Sequence, residues 1–207
     1  NRGIYKSCNT YFSNVYRRII DKDNQVEENI NNWHKHLDSF GLGNYLGYDH
    51  PVGQPGYVPN ANFYNLWYPN QRWRGSTIVS NAIGQGEILM TPIQLANVAA
   101  TIANRGFFYT PHFVKDVQGD FIDPKYKTKR ATSISKEHFT NVIEGMADVV
   151  SKGTARVAAI RGIEVCGKTG TIENFTKIDG VRTQLTDHSI FIAFAPKDDP
   201  KIALAVI

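Results

Sequence analysis

The chain has 207 residues, 42% of them apolar, 12% aromatic and 20% charged, with a formal charge of +4 at pH 7. That is an ordinary globular composition with length for one or two domains and a sizeable core, and it excludes a low-complexity or disordered chain. No run of 18 apolar residues occurs, so no membrane-spanning helix is expected within these residues, and the modest charge makes any nucleic-acid role depend on a local basic cluster.

In chain order, the opening "NRGIYKSCNTYF" lacks the pattern of a secretory signal. Ser7 or Asn9 is placed to cap a first helix running to about Ile20, because Tyr11, Phe12, Val15 and Ile19 recur at helical spacing. A second helix is expected over 27–40, stopped by "GLG". From Gly43 to Thr77 the chain is rich in Pro, Gly, Asn and aromatics, which predicts a long loop held down by its own rings. "GQGEILMTPIQLANVAATIANRG" predicts a glycine-rich turn and a helix that starts at a proline and ends near Asn104 and Gly106.

An extended stretch from Phe107 follows, then a helix over 135–150 capped by Ser135. Strands are expected in "IEVCGKTGT", "HSIFIAFAP" and "KIALAVI", within 163–207, with an Asp179-Gly180 turn between the first two. A mainly helical part (1–106), then an extended segment, a helix (135–150) and a meander of strands (163–207), predict an α+β fold, an antiparallel sheet flanked by helices. The chain reads as cut at both ends: a polar step leads straight into an amphipathic segment, and an apolar strand closes it without a turn.

Several residues invite chemistry and are better read as structure. The basic cluster Lys125–Arg130 follows a turn-rich stretch and lacks interleaved aromatics, so it reads as a solvated loop or hairpin face and not a nucleic-acid platform. His34 and His36 lie two apart on a helix and face different ways, which argues against a metal pair. Cys8 and Cys166 are too few for a disulfide framework and read as free thiols.

Gly162–Thr171, "GIEVCGKTGT", admits two readings. Gly162, Gly167, Lys168 and Thr169 satisfy the phosphate-binding pattern G-x-x-x-x-G-K-[ST], but that pattern needs a strand running into Gly162 and a helix starting at Lys168. Neither flank fits. As a strand, the run places the cation of Lys168 and the hydroxyls of Thr169 and Thr171 where they can receive a carboxylate. Gly170 leaves room for a peptide backbone to lie along the sheet edge. "SCN", Ser7-Cys8-Asn9, puts a proton-relaying hydroxyl and an amide-holding carboxamide together in one turn.

"SCNTYF", "FGLG", the 84–106 block, "GTARVAAI", "CGKTGT", "DHSIFIAFAP" and "KIALAVI" follow one another in the order and approximate spacing of the transpeptidase domain of class B penicillin-binding proteins, and most resemble its elongation-type branch. The resemblance implies the serine β-lactamase-like penicillin-binding fold and a single partial transpeptidase domain over 1–207. It maps Ser7 and Asn9 onto the family's second motif, and Lys168, Thr169, Gly170 and Thr171 onto its third. The implied activity is D,D-transpeptidation of peptidoglycan stem peptides in cell-wall elongation, with penicillin binding. Ser7 then shuttles a proton, Asn9 holds the donor amide, Lys168 and the two threonines bind the carboxylate, and the Thr171 N–H forms one arm of an oxyanion hole.

No cofactor or metal is implied. The implied partners are stem peptides, β-lactams and, through the elongation machinery, a SEDS-family glycosyltransferase; the implied location is the periplasmic face of the inner membrane. The family's Ser-x-x-Lys motif precedes its second motif and is expected upstream of Asn1. The run Ser133–Lys136 has that pattern in the wrong order and is set aside. Alternatives are a penicillin-recognising sensor or scaffold without turnover, a serine β-lactamase and, more remotely, a P-loop nucleotide binder.

Overall fold

In the computed structural model, residues 1–50, 52–116 and 122–207 are described. The opening helix is split. A four-residue helix α1 (Arg2–Tyr5) ends at Lys6, Ser7 takes a left-handed φ of 50°, and α2 (Asn9–Ile20) starts from Cys8 with no side-chain cap. Neither Ser7 nor Asn9 caps the helix as expected, because the turn after α1 brings Cys8 to the capping position. Helix α3 (Val26–Ser39) follows, then a long segment broken by the short α4 (Ala61–Trp67), whose Asn60 cap accepts from the Phe63 N–H.

The breaker-rich segment is held by its own rings, as expected. Tyr64 and Trp73 join Tyr16, Ile20, Ile30 and Ile78 in one buried cluster, and burying side chains of this size gives about 1.5–3 kcal/mol each. Inside that cluster the Asn81 carboxamide donates to the hydroxyls of Tyr16 (3.2 Å) and Tyr64 (2.6 Å), and the Tyr64 hydroxyl donates to Glu87 (2.8 Å). Burial pushes both phenols well above their ordinary range.

Helix α5 (Pro92–Ala103) carries the proline start and a reciprocal capping box between Thr91 and Gln94. Strands β1 (Phe107–Tyr109) and β2 (Lys129–Ala131) pair antiparallel. There Lys129 lies over the Phe107 ring and Arg130 over Phe108, which occupies the basic cluster structurally. Part of the expected extended stretch, residues 117–121, lies outside the described residues. Helix α6 (Glu137–Ser151) begins two residues later than expected, with Lys136 at the cap position and no side-chain cap. Ser135 contributes its backbone carbonyl to His138, not its hydroxyl.

Strand β3 (Cys166–Ile172) pairs with β6 (His188–Ala195), which pairs with β7 (Ile202–Val206), all antiparallel in the order β3-β6-β7. Between β3 and β6 the chain forms a hairpin of β4 (Phe175–Ile178) and β5 (Val181–Gln184), turned by Asp179 and Gly180 at φ 52° and 80°. Two consecutive positive φ values are the signature of the tight hairpin turn that Asp-Gly favours. Helices α5 and α6 cover the sheet, burying Phe139, Ile143 and Met146 against Cys166 and Phe194. The result is the expected mix of helices and antiparallel sheet, with β3 at the sheet margin facing the helical part.

Candidate functional site

The margin of β3 bounds a cleft of about 690 Å³ whose other walls are the Ser7 turn, the start of α2, the 82–85 loop and Thr154 after α6. Ser7, Asn9, Lys168, Thr169, Gly170 and Thr171 all line it. β6 covers only one edge of β3, and among the described residues no strand covers the other. That edge has no strand partner among the described residues and can take an extended ligand, although its Thr169 and Thr171 carbonyls accept hydrogen bonds from side chains.

Lys168 spans the two lobes. Its Nζ donates to Ser7 Oγ at 2.8 Å and to the Thr169 carbonyl at 2.5 Å. Burial draws its pKa below the ordinary lysine value, by favouring the uncharged amine. Ser7 meets it from a backbone conformation that costs a non-glycine residue about 1 kcal/mol or more. Strain of this kind persists where surrounding structure fixes it, here between α1 and α2. Asn9 is exposed in the cleft, and among the described residues its carboxamide makes no side-chain hydrogen bond.

Two cleft residues were not singled out by sequence reasoning. Thr154 Oγ1 lies 2.9 Å from Thr169 Oγ1, and Gln85 Nε2 donates to the Thr171 carbonyl at 3.1 Å. Both lie inside stretches that carried the family resemblance, "GTARVAAI" and "GQGEILM", and that was their only signal.

The decoys resolve on geometry. Lys168 sits within a strand and starts no helix, so the phosphate-cradling arrangement is absent and the nucleotide reading is overturned. Ser133 Oγ is 2.7 Å from His36 Nδ1 and 3.0 Å from Ser39 Oγ and does not line the cleft. His34 instead reaches the Val58 carbonyl. Cys166, at the start of β3, is fully buried against α6, and that burial pushes its thiol up to about 12. Among the described residues no cluster of three or more His, Cys, Asp or Glu is arranged to hold a metal.

A family model described as the penicillin binding protein transpeptidase domain matches residues 1–207. The peptidoglycan D,D-transpeptidase MrdA of Acinetobacter baumannii is 32% identical over all of this chain and 31% of its own length. Among solved structures, Pseudomonas aeruginosa PBP2 in complex with WCK 5153 is 29% identical with a TM-score of 0.76, over 98% of this chain and 42% of that one. Helicobacter pylori PBP2 in its complex with MreC is 30% identical with a TM-score of 0.70, over 99% of this chain and 35% of that one. The chain thus spans less than a third of the length of that curated relative.

Proposed function

The chain belongs to the penicillin binding protein transpeptidase domain family, and from that premise we propose that its cleft is the recognition half of a serine acyltransferase acting on peptidoglycan stem peptides. The observation that carries the reading is the contact of Lys168 with Ser7, 2.8 Å, across the mouth of an open strand edge. It joins a cation for a carboxylate, a hydroxyl able to pass a proton, and a row of backbone groups able to align a peptide.

In the proposed reaction a serine supplied by residues preceding Asn1 attacks the penultimate carbonyl of a D-alanyl-D-alanine end. The serine C–O bond forms, the C–N bond to the terminal D-alanine breaks, and the serine proton reaches the leaving amine through an upstream lysine and Ser7. An amine from a neighbouring stem then attacks the acyl carbon: its C–N bond forms, the ester C–O bond breaks, and the amine's proton returns to the serine oxygen. Lys168, Thr169 and Thr171 hold the terminal carboxylate, with Thr154 orienting the Thr169 hydroxyl. Asn9 holds the donor amide, Gly170 leaves the path clear, and the Thr171 N–H stabilises the developing oxyanion. A β-lactam mimics the donor end and leaves a long-lived acyl-enzyme.

The same reading proposes a role in cell-wall elongation at the periplasmic face of the inner membrane, in contact with elongation machinery. The Helicobacter pylori relative solved with MreC supports that assignment. A SEDS-family glycosyltransferase is proposed as the polymerising partner.

The test is gel labelling by a fluorescent penicillin of the protein extended upstream of Asn1, of this chain alone, and of the extended protein with Lys168→Ala. Labelling of the extended form only, lost or strongly slowed by Lys168→Ala, supports the proposal. Labelling of the short chain would return Ser133 to consideration, and no labelling of the extended form would favour a sensor or scaffold.

A further inference from the structure

In an antiparallel strand the N–H and C=O of one residue point to the same edge, and alternate residues point to alternate edges. Gln85 reaches the Thr171 carbonyl from across the cleft, so Thr171 and Thr169 present their backbone groups to the open edge of β3. Both of these carbonyls are already occupied by side chains. Lys168 Nζ takes Thr169 and Gln85 Nε2 takes Thr171. Lys168 is tied a second time, to Ser7, whereas Gln85 holds its carbonyl by this single bond.

We propose that Gln85 is a specificity-determining residue of the cleft: its carboxamide caps the Thr171 carbonyl and yields only to ligands that bring an amide N–H of their own. The inference rests on the acyl-transfer reading above and adds to it a residue from the opposite lobe.

The loop is built for this exchange. Gly84 and Gly86, at φ 73° and 74°, flank Gln85 and make the turn that presents it to the strand. The loop backbone is anchored on both sides. The Gly84 and Gln85 N–H groups donate to the Asn81 and Ser80 carbonyls at 3.2 and 3.1 Å, and the Glu87 carboxylate accepts from the buried Tyr64 hydroxyl at 2.8 Å. Releasing Thr171 therefore needs only a side-chain rotation of Gln85.

An extended ligand with an amide N–H replaces one hydrogen bond at Thr171 by another, so Gln85 competes with it. A ligand without that N–H leaves Gln85 in place. The experiment measures the second-order acylation rate of the protein extended upstream of Asn1 with two probes: a penicillin bearing an acylamino side chain, and a carbapenem whose hydroxyethyl side chain has no amide. Gln85→Ala is expected to raise the rate for the penicillin about 3- to 10-fold, as loss of one exposed competing hydrogen bond implies, and to change the carbapenem rate by less than about twofold. Gln85→Asn, too short to span the cleft, is expected to behave likewise.

Equal changes with both probes, which a merely structural role would give, overturn the inference, as do unchanged rates with both. A wild-type protein labelled by neither probe overturns the acyl-transfer reading and this inference together.

Discussion

Two glycines three residues apart on β3 should separate stability from activity. A Cβ added at Gly167 would lie 2.5 Å from Phe191 Cζ, 2.7 Å from its Cε2 and 3.2 Å from the Ile192 carbonyl. Phe191 packs beside Val149 and Val150, and so cannot swing freely away. Overpacking of this kind costs about 1–3 kcal/mol, and for a domain of this size each kcal/mol lowers Tm by about 2–4 °C. A Cβ at Gly170 would meet only Ile190 Cβ, at the ordinary distance of 3.6 Å. The fold therefore tolerates Gly170→Ala, within about 0.5 kcal/mol of wild type or slightly more stable, since alanine loses less backbone entropy on folding than glycine. The added methyl lies in the wall of the cleft, and displacing a reacting ligand by about 1 Å can cost about 100-fold in rate. Melting curves and penicillin acylation rates of both variants, made in the protein extended upstream of Asn1, test this directly. A Gly170→Ala protein that melts several degrees low, or that acylates at the wild-type rate, would refute the reasoning.

The lowered pKa of Lys168 sets a pH dependence. Its charged form, which the carboxylate needs, is lost as pH rises through a value below the ordinary 10.5, so the alkaline limb of acylation should fall earlier than for a solvent-exposed lysine. Lys168→Arg, charged throughout, should be slower and lack that limb; an alkaline limb that persists in Lys168→Arg assigns it to another group. Lys197 pairs with Glu144 at 2.8 Å and Glu164 at 3.2 Å, and these contacts raise its pKa. The stabilisation is thus present below the ordinary lysine value and lost as pH rises through the folded one. With both carboxylates about half exposed, Lys197→Met should cost only about 1 kcal/mol, read as a small fall in Tm that shrinks in high salt; a salt-independent loss points to packing instead. Cys166, buried and with its thiol raised to about 12, should resist alkylation in the folded protein and react once denaturant is added. Mass spectrometry showing Cys166 modified under native conditions would contradict the packing around it.

The parts of the fold that could be read ahead are those with local causes. Thr91, Pro92 and Gln94 specify the start of α5 by themselves, and Asp179-Gly180 marks its turn whatever surrounds it. What escaped was decided by tertiary structure. Helix α1 has four residues and no side-chain cap, so nothing local announces it, yet it displaces the start of α2 to Cys8 and bends Ser7 into a left-handed conformation. Serine and asparagine look like caps in a sequence because they often are; here Ser7 turns its hydroxyl to Lys168 and Asn9 opens into the cleft. Ser135 shows the opposite error, since a good capping residue lies one position too early to cap. In the cleft, the two short motifs were legible because a strand and a turn carry them. Gln85 and Thr154 were not, because their partners stand 86 and 15 residues away.

The bond between Ser7 and Lys168 joins residues 161 positions apart. Closing so long a loop is entropically slow and is rewarded only when both ends already sit on formed structure. The helical cluster around Tyr64 and the sheet beneath α6 can each condense from nearer neighbours, but the pair can meet only after the two have docked. In the protein extended upstream of Asn1, competence to be acylated is therefore a reporter of the last event in assembly. On refolding it should return after the far-ultraviolet helix signal, and on gentle heating it should vanish before that signal does.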